Sequence, residues 1–260
     1  MFKHLIVGID FPFEEDTFIE EIATLQPLIG LEELTLAHVT LNPNEIPEIQ
    51  AELDKHASVI KGRLGLKAAD AQALSGLPTE ELNRLTSRKD AQGIALLFHH
   101  HSKTYEFFLG SVALDMARST RHPLFFLNQQ PDPSSGALML ASDGSLAAKA
   151  AEKLFAQLKP LAKKAMIINV PSDKDEPEHQ QAVQKLKATF SEDAAVEILS
   201  GEGDPAKAIV QASNSKKADL LILGKRGQNP LKQLMFGSTA EQICRQIHRP
   251  VLIVPPELGD

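Results

Sequence analysis

Glycines, hydroxyl groups and basic side chains recur close together near the carboxyl terminus of the sequence. The stretch Gly224-Lys225-Arg226-Gly227 is followed, after nine intervening residues, by Gly237-Ser238-Thr239. Glycine leaves main-chain N–H groups uncovered, and a helix that begins at Gly237 would direct free donors and its positive end toward a ligand. The hydroxyl groups add donors, and the basic residues, with Lys232, add positive charge. This combination is typical of a phosphate-binding site.

Strand-like and helix-like segments alternate through the second half of the chain and determine where this loop lies. The predicted strands are 138–142, 166–170, 196–200, 219–223 and 251–254, and the predicted helices are 145–159, 177–190, 204–216 and 238–248. Asp204 is the expected N-cap of the third helix, and Pro205 its first residue. The alternation predicts a parallel sheet with helices on both faces, which binds ligands where its strands end.

The first half of the chain repeats this plan. Gly110-Ser111 and Pro123 match Gly237-Ser238 and Pro250 at one constant offset in residue number, and Asp10 matches Asp143 at a slightly larger offset. Predicted strands lie near 4–9, 34–39, 70–74, 94–98 and 124–127, and predicted helices near 14–28, 47–61, 78–88 and 111–121. Landmarks kept in one order at nearly one offset indicate a duplicated domain.

Two domains are therefore predicted, at 1–130 and 137–260. A length of 260 residues suits two domains of ordinary size. The stretch 129–136, QQPDPSSG, is rich in proline and serine and is the expected linker.

The composition and charge of the chain indicate its cellular compartment and argue against some classes of binding partner. No apolar run reaches the roughly 18 to 20 residues that a membrane-spanning helix needs, and the start MFKHLIVGID lacks the features of a signal peptide. The single cysteine, Cys244, fits a reducing cytoplasm. A net charge of −7 gives no general attraction to nucleic acid or anionic lipid. We expect a cytoplasmic protein with no nucleic-acid or membrane partner.

The spacing Gly-x2-Gly-x9-Gly-Ser resembles the nucleotide-binding signature of the universal stress protein family. The sequence ASDGS at 141–145 is similar to the exit of that family's first strand, and VLIVP at 251–255 to its closing strand. The resemblance covers essentially the whole chain. It implies an α/β protein of two tandem flavodoxin-like (adenine nucleotide alpha hydrolase-like) domains, each a five-stranded parallel sheet with helices on both faces, and a role in stress survival.

The resemblance also implies a ligand and the residues that bind it. ATP, with or without Mg²⁺, is the expected cofactor of the second domain. The expected binding residues are Ala141, Ser142, Asp143, Val170, Gly224, Lys225, Arg226, Gly227, Gly237, Ser238 and Thr239. Among them, Asp143 and the strand end near Val170 would border the adenine and ribose.

The first domain departs from this pattern. At the offset that aligns Gly110 with Gly237, Leu97 stands opposite Gly224 and His100 opposite Gly227. In the same alignment Phe98, His99 and Tyr105 replace Lys225, Arg226 and Lys232. Because side chains would stand where phosphate must contact the main chain, this domain is expected not to bind ATP.

Several residues allow other interpretations. Asp143 could cap the helix 145–159 as well as approach a ligand. The consecutive histidines 99–101 fit a solvated loop, since three adjacent side chains cannot converge on one metal ion. Cys244 has core spacing and is predicted to be buried and inert. The apolar loop residues fit either packing on their own domain or a contact surface, and they are Phe107, Phe108, Leu109, Leu231, Leu234, Met235 and Phe236.

Three functions remain open from the sequence. The first is a nucleotide-dependent regulatory or interaction module, the second a slow ATPase or ATP-using enzyme, and the third a structural interaction protein without nucleotide. No P-loop, nucleophile-elbow, HExxH or CxxC signature occurs, and Asp143 is the single acid placed near the phosphates. Turnover is therefore expected to be negligible or slow.

An assembly is also expected. The strands 124–127 and 251–254 are apolar throughout, as strands covered by a neighbour would be. We expect the two domains to pack on each other through them as an intramolecular pseudo-dimer with a pseudo-twofold axis. Whether the chain also forms a homodimer is left open by the sequence.

Overall fold

The computed structural model describes residues 1–97, 110–127, 134–170, 177–191, 196–225 and 236–256. These residues form two compact units, the first containing those up to 127 and the second those from 134 onward. Within its described part, each unit alternates five strands with four α-helices.

The first unit begins with a strand and ends with a strand. Its strands are β1 His4–Gly8, β2 Glu33–Thr40, β3 Ala68–Ser75, β4 Gly93–Leu97 and β5 Leu124–Leu127. Its helices are α1 Glu15–Ile29, α2 Ile46–Leu64, α3 Pro78–Arg88 and α4 Ser111–Ser119. A 3-10 turn at Pro43–Glu45 precedes α2.

The second unit has the same succession of elements. Its strands are β6 Ala137–Ala141, β7 Lys164–Asn169, β8 Val196–Ser200, β9 Leu220–Gly224 and β10 Val251–Val254. Its helices are α5 Lys149–Leu158, α6 Pro177–Ser191, α7 Pro205–Ser215 and α8 Ser238–Gln246. Two 3-10 turns, Leu146–Ala148 and Lys159–Leu161, flank α5.

Each unit contains a parallel sheet, so the predicted fold class is confirmed. The strands of the first unit lie in the order β3-β2-β1-β4-β5, and those of the second in the order β8-β7-β6-β9-β10. The order reverses between the first and fourth strands, as in dinucleotide-binding folds, whereas flavodoxin itself has the order 2-1-3-4-5. Because crossovers between parallel strands are right-handed, the reversal places helices on both faces of each sheet.

Central strands of both sheets are buried on both faces. Leu5, Ile6 and Val7 of β1 and Leu221 and Ile222 of β9 are almost completely inaccessible to solvent. Helices cover a parallel sheet on both sides, so its strands need apolar side chains at every position. This explains why these strands read as continuous apolar runs instead of alternating with polar residues.

The duplication extends to individual hydrogen bonds. The N–H of His4, at the start of β1, donates to Oε1 of Gln92 at 2.9 Å. The N–H of Ala137, at the start of β6, donates to Oδ2 of Asp219 at the same distance. Gln92 and Asp219 each precede the fourth strand of their unit, and they align at the offset that also relates Gly110 to Gly237. In both units, therefore, the side chain of the residue before the fourth strand accepts the first N–H group of the first strand.

The predicted helix over 145–159 is wrong at its start. The α-helix begins at Lys149, after the 3-10 turn at 146–148. Asp143 Oδ1 accepts the N–H of Ser145 at 3.0 Å, and Gly144 has a φ of 70°. These two features form a turn that a helix cannot continue. Asp143 therefore does not cap this helix.

Predictions about two single residues, Asp204 and Cys244, are confirmed. Asp204 Oδ1 accepts the N–H of Lys207 at 2.9 Å, which makes it the N-cap of α7. Cys244 is buried in α8, and burial raises the pKa of its thiol well above the ordinary range. Among the described residues, no helix is both long enough and apolar enough to cross a membrane.

Candidate functional site

The ends of three neighbouring strands meet at one edge of the second unit, called here the carboxyl edge. Ala141, the last residue of β6, lies in register with Ile168 of β7 on one side and Leu223 of β9 on the other. The next residues along these strands are Ser142, Asn169 and Gly224. The fold therefore brings the predicted residues at 141–143, at 170 and at 224 to one place.

The amino end of α8 is fixed at the same edge. The N–H of Gly237 donates to the carbonyl oxygen of Lys225 at 3.0 Å, and the N–H of Lys225 donates to the carbonyl oxygen of Val254 at 2.8 Å. Ser238 and Thr239 are exposed in the first turn of the helix. No side chain of the described residues caps this end, so its first N–H groups are available to an anion.

Lys225 differs from its expected role in one respect. Lys225 is only 4% exposed, and its N–H already donates to the carbonyl oxygen of Val254. The main-chain groups of Lys225 therefore hold α8 and β10 together at the site. The N–H of Lys225 is not available to a ligand. Arg226, Gly227 and Lys232 lie outside the described residues.

Ser142 is held through its hydroxyl, its carbonyl and its N–H group. Its Oγ donates to Oε1 of Glu152 at 2.8 Å and accepts the N–H of Gly144 at 3.0 Å. Its carbonyl oxygen accepts the side-chain amide of Asn169 at 2.9 Å. Its N–H donates to the carbonyl oxygen of Ile168 at 3.1 Å. The turn that carries Asp143 is therefore tied both to the neighbouring strand and to α5.

Sequence reasoning missed Asn169 and Glu152. Both are buried polar residues within apolar segments, in β7 and on the inner face of α5. One signal in the sequence could have found Glu152. It has helical spacing with Ala148, Ala151 and Phe155, which places it on the apolar side of the helix, and a carboxylate is rarely buried there without a partner.

Val170 is placed by a neighbouring glycine. A Cβ atom on Gly201 would lie 2.8 Å from Cγ2 of Val170 and 3.2 Å from Cβ of Ala208. The first distance is shorter than a real contact, so only glycine lets β8 leave the sheet this close to Val170. Val170 is itself buried beside the carboxyl edge.

The carboxyl edge of the first unit has different chemistry. By strand register, Ile9 corresponds to Ser142 and His38 to Asn169. The ring of Phe11, which follows Asp10, lies 5.2 Å from the ring of His38, centroid to centroid. An aromatic pair therefore lies beside the carboxyl end of β1, and the first unit also lacks the glycine spacing.

The fourth strand and the last helix of the first unit lie where the repeat predicts them. Leu97 ends β4 and Gly110 precedes α4, as their alignment with Gly224 and Gly237 requires. The histidines 99–101 lie outside the described residues. Within the ranges that the structure does describe, no group of three or more His, Cys, Asp or Glu side chains could hold a metal ion.

Comparison with known proteins identifies the family. The profile of the Universal stress protein family matches residues 131–255. A universal stress protein of Thermus aquaticus is 30% identical over an alignment of 132 positions that covers 45% of this chain and 96% of that protein. A universal stress protein of Methanocaldococcus jannaschii is 39% identical over 79 residues, 30% of this chain and 46% of the relative. The chain belongs to the universal stress protein family.

The match of fold extends over both units. The crystal structure of a universal stress protein from Archaeoglobus fulgidus covers 98% of this chain and 98% of its own, with a TM-score of 0.75 and 19% identity. The sequence match to the Methanocaldococcus jannaschii relative, in contrast, spans less than half of that protein's length.

Proposed function

We propose that the second unit binds ATP at its carboxyl edge and acts as a nucleotide-dependent regulatory or interaction module in the stress response. The hydrogen bond from Gly237 to Lys225 carries the proposal, because it fixes the uncapped end of α8 beside the strand ends. The phosphates would contact the N–H groups of α8 and the glycines at 224 and 227. The adenine and ribose would lie near Asp143 and Val170.

Further parts of the proposal concern metal, turnover and location. Mg²⁺ would accompany the triphosphate, and Asp143 is the single acid among the residues proposed to bind. Hydrolysis would be negligible or slow, because the residues proposed to bind include no second acid that would help to hold a metal or activate a water molecule. The proposed location is the cytoplasm.

Two matched glycines test the nucleotide site. Gly237 and Gly110 both precede the last helix of their unit, and both have ordinary dihedral angles, with φ of −63° and −59°. Valine can adopt either conformation, so both variants should fold. Calorimetric titration should show one ATP per wild-type chain, a loss of at least tenfold in affinity for Gly237→Val, and no change for Gly110→Val.

The outcomes separate the alternatives. Absence of ATP binding to the wild-type chain would overturn the proposal and favour a structural interaction protein. Two ATP molecules per chain, or equal losses in the two variants, would show that the first unit binds as well. Measurement of phosphate release at saturating ATP would then distinguish a binding module from a slow ATPase.

We also propose that the two units pack on each other as a pseudo-dimer through β5 and β10. Within its own unit each strand has one neighbouring strand, β4 or β9, and its sequence is apolar throughout. Small-angle scattering should give the radius of a single compact particle. Two separated particles on an extended linker would contradict this packing.

A further inference from the structure

Glu152 is a buried acid that the proposed nucleotide site does not contact. It lies in the first turn of α5 and is 7% exposed. Its Oε1 accepts the hydroxyl of Ser142 at 2.8 Å, and its Oε2 accepts from Nζ of Lys149 at 2.6 Å. Burial of a carboxylate is costly, and these two charge-assisted bonds offset that cost.

The bond to Ser142 has a consequence for the turn at the carboxyl edge. Because the Ser142 hydroxyl donates its one proton to Glu152, its oxygen lone pairs face the N–H of Gly144 and accept it at 3.0 Å. Glu152 thereby fixes the rotamer of Ser142, and Ser142 fixes the main chain on both sides of Asp143.

The first unit keeps the acid and lacks the serine. Glu21 precedes the start of β2 by the same interval that separates Glu152 from the start of β7, and it is 3% exposed. The residue at the place of Ser142 is Ile9, which has no hydroxyl group. A buried carboxylate at the same interval before the second strand thus exists in both units, but it is linked to the carboxyl-edge turn through a serine only in the second.

We propose that Glu152 is a positioning residue for the nucleotide site. It acts through Ser142 on the turn that carries Asp143, and so it sets the affinity for the adenosine part of the ligand. This inference rests on the proposed ATP site. The amino end of α8 is held separately by Lys225, so the contribution of the phosphates to affinity should not depend on Glu152.

Titration with adenosine, AMP and ATP tests this division of roles. Glu152→Leu removes the acceptor, and we expect all three ligands to weaken by a similar factor of roughly ten, the order expected for one hydrogen bond to a charged group. Glu152→Gln keeps an acceptor for Ser142 and should restore affinity to within about threefold of wild type. Glu21→Leu removes the matching acid of the first unit and should leave all three affinities unchanged.

A double-variant cycle tests the route through Ser142. Ser142→Ala should weaken the three ligands as much as Glu152→Leu does, and combining the two substitutions should add no further loss. Losses that multiply would show that Glu152 does not act through Ser142. The serine variant also provides the test if Glu152→Leu does not fold.

The two proposals fail in different ways. If the wild-type chain binds none of the ligands, the proposed function is wrong and this inference falls with it. If the wild-type chain binds ATP, and folded Glu152→Leu binds all three ligands with wild-type affinity while melting at a lower temperature, Glu152 supports the fold alone and this inference is wrong.

Discussion

The side-chain amide of Asn169 donates a hydrogen bond to the carbonyl oxygen of Ser142, across the ends of two neighbouring strands. The first unit makes the same connection with other residues. Nδ1 of His38 lies 3.1 Å from the carbonyl oxygen of Ile9, at the same place in the register. In both units, therefore, a side-chain donor from the second strand bonds to the carbonyl oxygen of the residue that follows the first strand.

Removal of this donor should destabilise the second unit. Asn169→Leu would leave the buried carbonyl of Ser142 without its side-chain partner, and we expect the free energy of unfolding to fall by about 1–3 kcal/mol. Asn169→His should cost less, because the first unit uses a histidine at this position. Urea unfolding followed by circular dichroism measures both, and equal midpoints for Asn169→Leu and wild type would contradict the prediction.

The elements were predictable because their signals are local. Continuous apolar runs such as 251–254 identify strands, and the Asp204-Pro205 pair identifies the start of α7, since capping depends on neighbours within three residues. The strand ends and Gly237 could be placed together from the sequence because parallel strands end at one edge.

The connections between these elements were not predictable. Ser142 follows β6 whereas Glu152 lies in α5, and Ile9 follows β1 whereas His38 lies in β2. Whether such side chains meet depends on how a helix is rotated against its sheet and on strand register, and one residue type does not determine either. The contact between the rings of Phe11 and His38, which also joins separate parts of the chain, could not be predicted for the same reason.

A substitution at Gly201 should displace Val170. The added Cβ of Gly201→Ala would lie 2.8 Å from Cγ2 of Val170, so the valine or the end of β8 must shift. Such overpacking costs about 1–3 kcal/mol of unfolding free energy. If Val170 borders the nucleotide, ATP affinity should fall as well, which calorimetry measures.

Gly62 provides the control for this substitution. It lies inside α2 of the first unit, and a Cβ there would meet no atom within 4 Å. Gly62→Ala should therefore stabilise the chain by about 0.5–1 kcal/mol through helix propensity, with no change in ATP affinity. Stabilisation by Gly201→Ala would show that the neighbourhood of Val170 can adjust at little cost.

Two buried hydroxyl groups should be dispensable. Within the part of the chain that the structure describes, Oγ of Ser145 and Oγ of Ser213 have no hydrogen-bond partner. A buried hydroxyl without a partner costs free energy on folding, so Ser213→Ala should leave the unfolding free energy unchanged or raise it by up to about 1 kcal/mol. A marked loss of unfolding free energy for Ser213→Ala, measured by urea unfolding, would show that the hydroxyl is bonded in solution.

The stability of the first unit should depend on the protonation of His122. Burial lowers the pKa of His122 below its ordinary value, because desolvation disfavours the charged ring. The unfolded chain, in which the pKa returns to about 6.5, then binds a proton more tightly than the folded chain does. Unfolding therefore takes up a proton as the pH falls below about 6.5, and stability falls with it until the folded pKa is also passed.

Replacement of His122 measures how much this histidine contributes to the pH dependence of the unfolding free energy. His122→Gln cannot titrate, and the other histidines of the chain are present in both proteins. The loss of unfolding free energy between pH 7.5 and pH 5.5 should accordingly be smaller in His122→Gln than in the wild-type chain. Urea midpoints at the two pH values give the comparison. An identical loss in the two proteins would mean that His122 is as well solvated in the folded chain as in the unfolded one.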